Sequence, residues 1–503
     1  MRVTRQAEFR ELPNGLLTPP PAVDDVQIEI GEQASTLVNG ELTVSLSAGA
    51  QLTFVRSSDG TAVLSERVKT TAEYPGRVFS LVDFHHWRQM GDWSFDPEYW
   101  PDPTAMVREL RAMGIELVVS VWPTVNATSR NYAPMLTHGM LVRNERGHPV
   151  QNTSPEPHGS MLQTFYDATN PEAREFLWQR IREGYVKHGI KLFWLDTSEP
   201  ELIPLEQDNA RYQLGNGLEV AGLYPLCHSR AFFDGLKAEG ETEILTLGRS
   251  AWVGSQRYGA AVWSADIPST FDSLRRQVAG DLNIGLRGIP WWCSDIGGFY
   301  GGYIDDPGYR ELFVRWFQYG VFCPICRVHG IRRLRDARAK PGDPITDPDR
   351  PTVPNEVWSY GEEAYAILSE QLRLRERLRP YIMEQMRVAQ TSGLPPMRPW
   401  FVDFPADPRS WEVEDQFLFG PDILVAPVLA EGVRSRPVYL PAGATWRCAW
   451  TDAPHPGGGT IEAEAPLSRI PVYLRAQSAL RLRPETGPDG NVFGLMRMDA
   501  KAK

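Results

Sequence analysis

The feature that most constrains this chain is a repeated unit. A capped helix stops at a glycine and gives way to an apolar run that ends in a polar residue. Asp102-Pro103 has the form of an N-cap with a first-turn proline, Met106, Leu110 and Met113 fall on one helical face, and Gly114 stops the pattern before the apolar residues 115–122. The unit recurs: Asn170-Pro171 opens a second helix, Leu177, Ile181 and Tyr185 line its face, and Gly189 closes it ahead of residues 191–196. Alternation of this kind builds a parallel sheet, because parallel neighbours need a crossover and a helix is its usual form. Seven runs end in a polar or aromatic residue: 78–83, 117–122, 192–196, 244–249, 261–266, 289–295 and 322–329. Their span of roughly 300 residues suits a (β/α)8 barrel of the TIM type with inserted loops. No Gly-x-Gly-x-x-Gly follows an early strand to favour a dinucleotide-binding sheet.

At 503 residues the chain is too long for one core. Residues 33–66 alternate apolar and polar, as in Leu42-Thr-Val44-Ser-Leu46 and Leu52-Thr-Phe54, with a Ser-Asp-Gly turn, which is the pattern of β-hairpins. The Pro-rich residues 1–30 read as a loose lead-in. The charge alternation of residues 372–379, within a helical stretch over 362–389, marks an exposed face. After Gly393-Leu-Pro-Pro the pattern is β again: Phe417-Leu-Phe, Ile423-Leu-Val-Ala, Pro437-Val-Tyr-Leu and Pro471-Val-Tyr-Leu, a small C-terminal β-sandwich. The expected layout is a β-rich remnant of an N-terminal sandwich at 1–70, a barrel at 71–392, a C-terminal β-sandwich at 393–480 and a tail at 481–503.

Carboxylates stand at the ends of two runs. Residues 191–196 read Lys-Leu-Phe-Trp-Leu-Asp, with Glu199-Pro-Glu201 behind, and residues 260–266 read Ala-Ala-Val-Trp-Ser-Ala-Asp, 266 − 196 = 70 residues on. A carboxylate at the mouth of a buried strand is costly, because desolvation disfavours its charged form, and the C-terminal ends of barrel strands are where catalysis sits. Two carboxylates on separate strands of one barrel are the minimum for cleaving a glycosidic bond. As pattern alone, Asp196 reads equally well as a strand-end cap and Asp266 as an ordinary loop residue.

The net charge of −11 with no basic block argues against nucleic acid and gives no attraction to an anionic membrane. No stretch approaches ~18 uncharged apolar residues, and residues 1–10 lack the apolar region of a secretory signal. The five cysteines lie in apolar segments and read as buried thiols of a reducing compartment, so a cytoplasmic location is expected. Cys323 and Cys326 have Cys-x-x-Cys spacing without a second pair, and adjacent His85-His86 cannot chelate like an i, i+4 pair. Neither metal nor cofactor is expected. Sixteen tryptophans fit a carbohydrate site, since indole faces stack on sugar rings, and fit a core equally well.

Several longer motifs occur together and in order: Trp87-Arg-Gln-Met-Gly-Asp92-Trp93-Ser-Phe-Asp96, Trp194-Leu-Asp196, Gly248-Arg249-Ser, Gly254-Ser-Gln-Arg-Tyr258 with Trp263-Ser-Ala-Asp266, Trp292-Cys-Ser-Asp295-Ile-Gly-Gly-Phe299 and Arg327-Val-His329-Gly330. Over roughly residues 77–480 the chain resembles glycoside hydrolase family 31, the retaining α-glucosidases and α-xylosidases. The Trp-Leu-Asp-x-x-Glu-Pro-Glu form is most similar to the branch of bacterial α-xylosidase-like proteins. The resemblance implies that Asp196 is the nucleophile, forming a glycosyl-enzyme ester, and that Asp266 is the general acid and then the base, the two carboxyls about 5–5.5 Å apart. It implies that Asp83, Arg249 and His329 bind sugar hydroxyls, with Trp122, Trp194, Trp263 and Trp292 walling the pocket and about half of them filling the barrel. The apolar approach to Asp266 is expected to raise its pKa by desolvation. Asp92 and Asp96 read as loop-fixing, and Glu199 as a group that orients its neighbours. An ion pair of Arg249 with Asp295 is the structural alternative to sugar binding at Arg249.

The implied partner is an α-linked oligosaccharide or glycoside, cleaved from its end, with xylose first and glucose second. The same intermediate passed to a sugar would make a transglycosylase. Relatives often assemble, so a homo-oligomer is compatible with the resemblance, although no interface pattern stands out. One departure counts against activity. Between the hairpins and residue 78 only residues 67–76 intervene, too few for a strand and crossover helix. A barrel missing its first unit would have an open edge, and the alternative reading is a weakly active or inactive carbohydrate-binding relic.

Overall fold

The computed structural model describes the backbone of residues 26–30, 34–39, 42–47, 52–56 and 62–65, and then residues 78–156, 159–200, 207–335 and 352–483. The chain divides into two compact units, Met1–Val262 and Trp263–Lys503. The segment over 67–76, residues 484–503 of the tail and Glu201 lie outside the described residues.

The first unit opens with a five-stranded antiparallel meander of β1 (Val26–Ile30), β2 (Ala34–Asn39), β3 (Leu42–Ser47), β4 (Leu52–Arg56) and β5 (Ala62–Ser65). Its first strand falls inside the stretch expected to be a loose lead-in. Val26-Gln-Ile28-Glu-Ile30 has the same period of two as its neighbours and pairs with β2 from Val26↔Asn39 to Ile30↔Ser35.

Five parallel strands follow: β6 (Val78–Val82), β7 (Ile115–Val121), β8 (Leu192–Leu195), β9 (Thr246–Gly248) and β10 (Ala260–Trp263). Each pairs with the next, in registers that include Val82↔Val119, Val121↔Leu195, Leu195↔Gly248 and Gly248↔Val262. The connections are helical. Asp102 caps α1 (Pro103–Ala112) by accepting from Ala105 N at 2.9 Å, and Asn170 caps α2 (Pro171–Gly184) by accepting from Glu172 N at 2.9 Å. Both caps were legible in the sequence. The α1 face was less so: Val107 is its buried residue, whereas Met113 is the C-cap and lies 65% exposed. Leu177 and Ile181 of α2 are fully buried, and with Val119, Val121, Phe193 and Leu195 they form one core with Phe232 of α3 (Tyr224–Ala238).

In the second unit, α4 (Phe271–Leu286) precedes β11 (Trp292–Cys293) and α5 (Pro307–Gly320). Residues 322–329, expected to be a strand, form none. Phe322 and Cys323 are still turning off α5, bonded to Tyr319 O and Gly320 O, and Pro324 has no N–H to donate. The chain beyond runs extended beside β11, with Ile325 N to Trp292 O at 3.1 Å and Ile296 N to Arg327 O at 3.2 Å. The long α6 (Glu362–Ser392) exposes Glu–Arg pairs at 370/373, 376/379 and 384/387, as its charge alternation implied. Arg375 of the same run instead turns inward onto Val321 O at 2.8 Å and Pro324 O at 2.6 Å.

The C-terminal β structure contains the four predicted runs, as Phe417–Phe419, Ile423–Val425, Ser435–Leu440 and Val472–Arg475. Fully buried Arg315 of α5 donates to Val433 O at 3.0 Å, Ala465 O at 2.7 Å, and Pro466 O and Arg469 O at 3.1 Å each. No helix of the described residues is long and apolar enough to cross a membrane.

Two outcomes follow from buried polar groups. Arg315→Leu leaves those carbonyls unsatisfied, at about 1–3 kcal/mol each, so urea unfolding followed through the second unit is expected to show a loss of at least about 3 kcal/mol. His228 is fully buried, bonded to Tyr166 OH at 2.7 Å, and burial pushes its pKa down to about 3. A depressed histidine is neutral in the fold and takes up a proton on unfolding, so its stability contribution is present above pH 6.5 and lost as pH falls. Between pH 7.5 and 5, His228→Gln is expected to lose about 2 kcal/mol less than the parent in paired denaturation curves.

Candidate active site

The β-ladder of the first unit continues past its strands into two of the candidate residues. Asp196 N donates to Val121 O at 3.2 Å, and Arg249 N donates to Leu195 O at 3.2 Å, so both side chains leave a fixed backbone at the C-terminal ends of β8 and β9. Thr197 then takes φ 54°, a left-handed conformation that a β-branched residue rarely adopts. It directs its N–H onto Oδ1 of Asp196 at 2.8 Å. Arg249 Nη1 lies 3.5 Å from the same oxygen, and its Nε donates to Glu199 Oε1 at 2.6 Å. Arg249 and Asp196 are nearly buried, with side-chain exposures of 8% and 12%. A guanidinium held between two carboxylates compensates charges that would be costly alone. Glu199 therefore orients Arg249, the role expected of it. Ser198 and Ser250 hydroxyls meet at 3.1 Å and join the two loops again.

Asp83 follows the last residue of β6, its Oδ1 accepting from Phe84 N at 2.7 Å. His86 bridges Asp83 O and Tyr185 OH, at 2.7 Å on each ring nitrogen, and burial pushes its pKa down to about 4. That histidine holds the strand end in place; it is not half of a metal pair. Phe84, which the motif reading passed over, is exposed and stacks on Trp122 with centroids 5.2 Å apart and planes 18° apart. Its signal was present as an aromatic directly behind a strand-end carboxylate. Trp122 is half-buried and Trp194 buried. Asp92 accepts from Ser129 Oγ at 2.8 Å and Asp96 from Glu98 N at 3.0 Å, so both fix the loop.

The second unit holds the remaining candidates. Trp263 and Trp292 are buried. Ala265, at φ 59°, is a second left-handed residue directly beside a carboxylate. Asp266 itself is exposed, which corrects the expectation that the apolar residues before it desolvate the carboxyl: their burial stops short of it. Buried Asp295 is paired with Arg327, whose guanidinium lies 5.4 Å from the Trp263 ring. His329 faces Phe299 with centroids 5.6 Å apart, and burial together with the charges of Arg327 and Arg332 pushes its pKa down to about 2, so it is neutral at any ordinary pH. Arg332, absent from the motif reading, donates to Ile296 O, Gly298 O and His329 O at 3.0 Å each. Gly330 is required there: at φ +119° its backbone passes so close that a Cβ would stand 2.6 Å from Gly298 O. Among the described residues no group of His, Cys, Asp and Glu is placed to hold a metal, and all five cysteines are free.

Residues 66–385 match the profile described as the glycosyl hydrolases family 31 TIM-barrel domain, and residues 393–480 match the family 31 C-terminal domain. Alpha-xylosidase A of Aspergillus niger is 33% identical over 439 residues, covering 78% of this chain and 57% of its own. The alpha-xylosidase of Saccharolobus solfataricus is 31% identical, covering 80% of this chain and 51% of its own. An uncharacterized family 31 glucosidase of Pseudescherichia vulneris is 52% identical over 260 residues, 51% of this chain and 47% of its own. The chain thus spans about half the length of these curated relatives. Among solved structures, a family 31 alpha-xylosidase from a soil metagenome, complexed with xylose, superposes with a TM-score of 0.77 at 34% identity, covering 94% of both chains. The chain belongs to glycoside hydrolase family 31 and has its TIM-barrel and C-terminal domains. The reading as an incomplete relic gains no support from these likenesses.

The strain at Ala265 can be tested directly. Ala265→Gly relieves the left-handed conformation and is expected to raise stability by about 0.5–1 kcal/mol in thermal or urea unfolding. Val at the same position is expected to lower it.

Proposed function

We propose that this member of glycoside hydrolase family 31 is a retaining exo-α-glycosidase that removes terminal α-linked xylose through a covalent glycosyl-enzyme. The observation that carries the reading is the carboxylate of Asp196 at the end of a parallel strand, with one oxygen held by the Thr197 N–H and faced by Arg249. A nucleophile fixed in this way meets the anomeric carbon without first reorganising. Its carboxylate forms a bond to that carbon as the bond to the leaving oxygen breaks, and Asp266 gives its proton to that oxygen. In the second half water attacks the same carbon, its proton passes to Asp266, and the bond to Asp196 breaks, so configuration is retained. Asp266 is exposed, and in this reading its desolvation arrives with the substrate, which covers it as the pocket fills. Asp83, Arg249 and neutral His329 bind hydroxyls of the reacting sugar, with Trp122, Trp194, Trp263 and Trp292 as walls. The catalytic barrel is assigned to residues 71–392 and the C-terminal β-sandwich to 393–480.

Xylose is placed first because the relatives matched over most of this chain include proteins described as alpha-xylosidases. α-Glucosidase is the second reading, favoured by the higher identity to a protein described as a family 31 glucosidase.

The test is turnover of aryl α-xyloside against aryl α-glucoside, with the anomer of the first product followed by NMR. The α-anomer must appear first. Asp196→Ala is expected to lower kcat/KM by on the order of 10⁴ or more. Asp266→Ala is expected to lower it about 10²–10⁴-fold on a substrate whose leaving group needs a proton; on an aryl α-glycoside with an activated leaving group, which needs none, added azide is expected to raise kcat by capturing the glycosyl-enzyme as the α-glycosyl azide. A first product of inverted configuration, or full activity in either variant, refutes the mechanism.

A further inference from the structure

We propose that Trp252 is the platform on which the leaving-group sugar lies, which makes it a specificity-determining residue for the far side of the scissile bond. This rests on the glycosidase reading and extends it to the part of the substrate that departs.

Trp252 belongs to the loop that leaves β9 through Arg249. That loop is tied twice to the segment carrying Asp196, by Arg249 to Asp196 and Glu199 and by Ser250 to Ser198. Two residues, Ser250 and Ala251, separate Arg249 from Trp252, a stretch of at most about 11 Å of chain. The indole is 49% exposed, and neighbouring Val253 is 50% exposed. An indole left half in water keeps apolar surface open to a ligand.

Its backbone is nevertheless fixed. Trp252 N donates to Ser255 Oγ at 2.9 Å, Ser255 N donates back to Trp252 O at 2.9 Å, and Ser255 is fully buried. The ring is fixed as well. Its six-membered part rests on Gly222, where a Cβ would stand 2.9 Å from Cη2 and Cζ2. Gly222 lies inside the 3-10 turn Ala221–Leu223, without a left-handed φ, so glycine there is not required by its own backbone. It makes room for the indole. A rigid, half-open indole at the end of a barrel strand offers an apolar face to the C–H face of a pyranose, and ordering it on binding costs little because it is already held. The ligand class is therefore a second sugar ring attached through the α-linkage, the glycosyl acceptor in reverse.

The experiment compares two substrates of the same non-reducing sugar: the α-glycosyl fluoride, whose leaving group is one atom, and an α-(1→6)-linked disaccharide. In Trp252→Ala, kcat/KM for the disaccharide is expected to fall about 10–100-fold, while fluoride release changes no more than about twofold and reports that the fold is intact. Trp252→Phe, which keeps a flat face, is expected to recover most of the disaccharide activity. Equal losses on both substrates, or an undiminished disaccharide rate, overturn the platform alone. A parent protein that releases no fluoride from either sugar overturns the glycosidase reading, and the platform with it.

Discussion

The contact on which the first half of the site depends is the backbone N–H of Thr197 on Oδ1 of Asp196. It exists because the β-ladder does not stop at the last strand residue. Asp196 N is still bonded to Val121 O, so the chain must turn away within one residue, and a left-handed Thr197 is how it does so. Such a conformation costs on the order of 1–3 kcal/mol and persists only where its surroundings impose it. Val119, Val121, Phe193 and Leu195 supply that constraint, each nearly fully buried in one core and each contributing roughly 1.5–3 kcal/mol. The strain is localised beside the carboxylate and the offsetting burial is spread along the strands.

The second unit solves a similar problem with charge. Segments 295–299 and 327–332 expose backbone carbonyls to one another, and fully buried Arg332 answers three of them, at Ile296, Gly298 and His329. The bare backbone of Gly330 permits the approach. Arg327 neutralises buried Asp295. These cations have a second effect: with burial, they keep His329 uncharged. A neutral imidazole has one donor and one acceptor nitrogen, which suits it to hydroxyl groups better than two donors would.

What the sequence made legible follows from how local each feature is. The caps at Asp102 and Asn170 depend on residues two or three apart and were readable as motifs. The strand ends at Asp83, Asp196 and Arg249 were readable because apolar runs must end where water or chemistry begins. Arg332 and the pairing of Arg249 with Asp196 were not, since they depend on which loops meet, and Phe84 and Glu199 were visible only as residues without their partners. Phe84 matters through Trp122 of the next strand, and Glu199 through an arginine fifty residues away. The segment 322–329 misled because an apolar run after a helix looks like a strand, although Pro324 and the persisting turn prevent it. Asp266 misled for a related reason: apolar neighbours in sequence imply burial only while the strand lasts, and β10 ends at Trp263.

The two acidic residues assigned to the reaction differ in the way their proposed tasks require. Asp196 is nearly buried, bonded through its own peptide neighbour and faced by a guanidinium that Glu199 holds in turn. A group that must attack one carbon from one direction gains from every constraint of that kind. Asp266 is exposed and sits after a left-handed alanine, beyond the end of its strand. A group that must first protonate a leaving oxygen and later take a proton from incoming water needs access to both, and burial by the protein's own atoms would impede the second exchange. Under the proposed assignment, fixed burial for the nucleophile and an open position for the proton carrier are complementary solutions, and in both the neighbouring residue is a non-glycine held at positive φ.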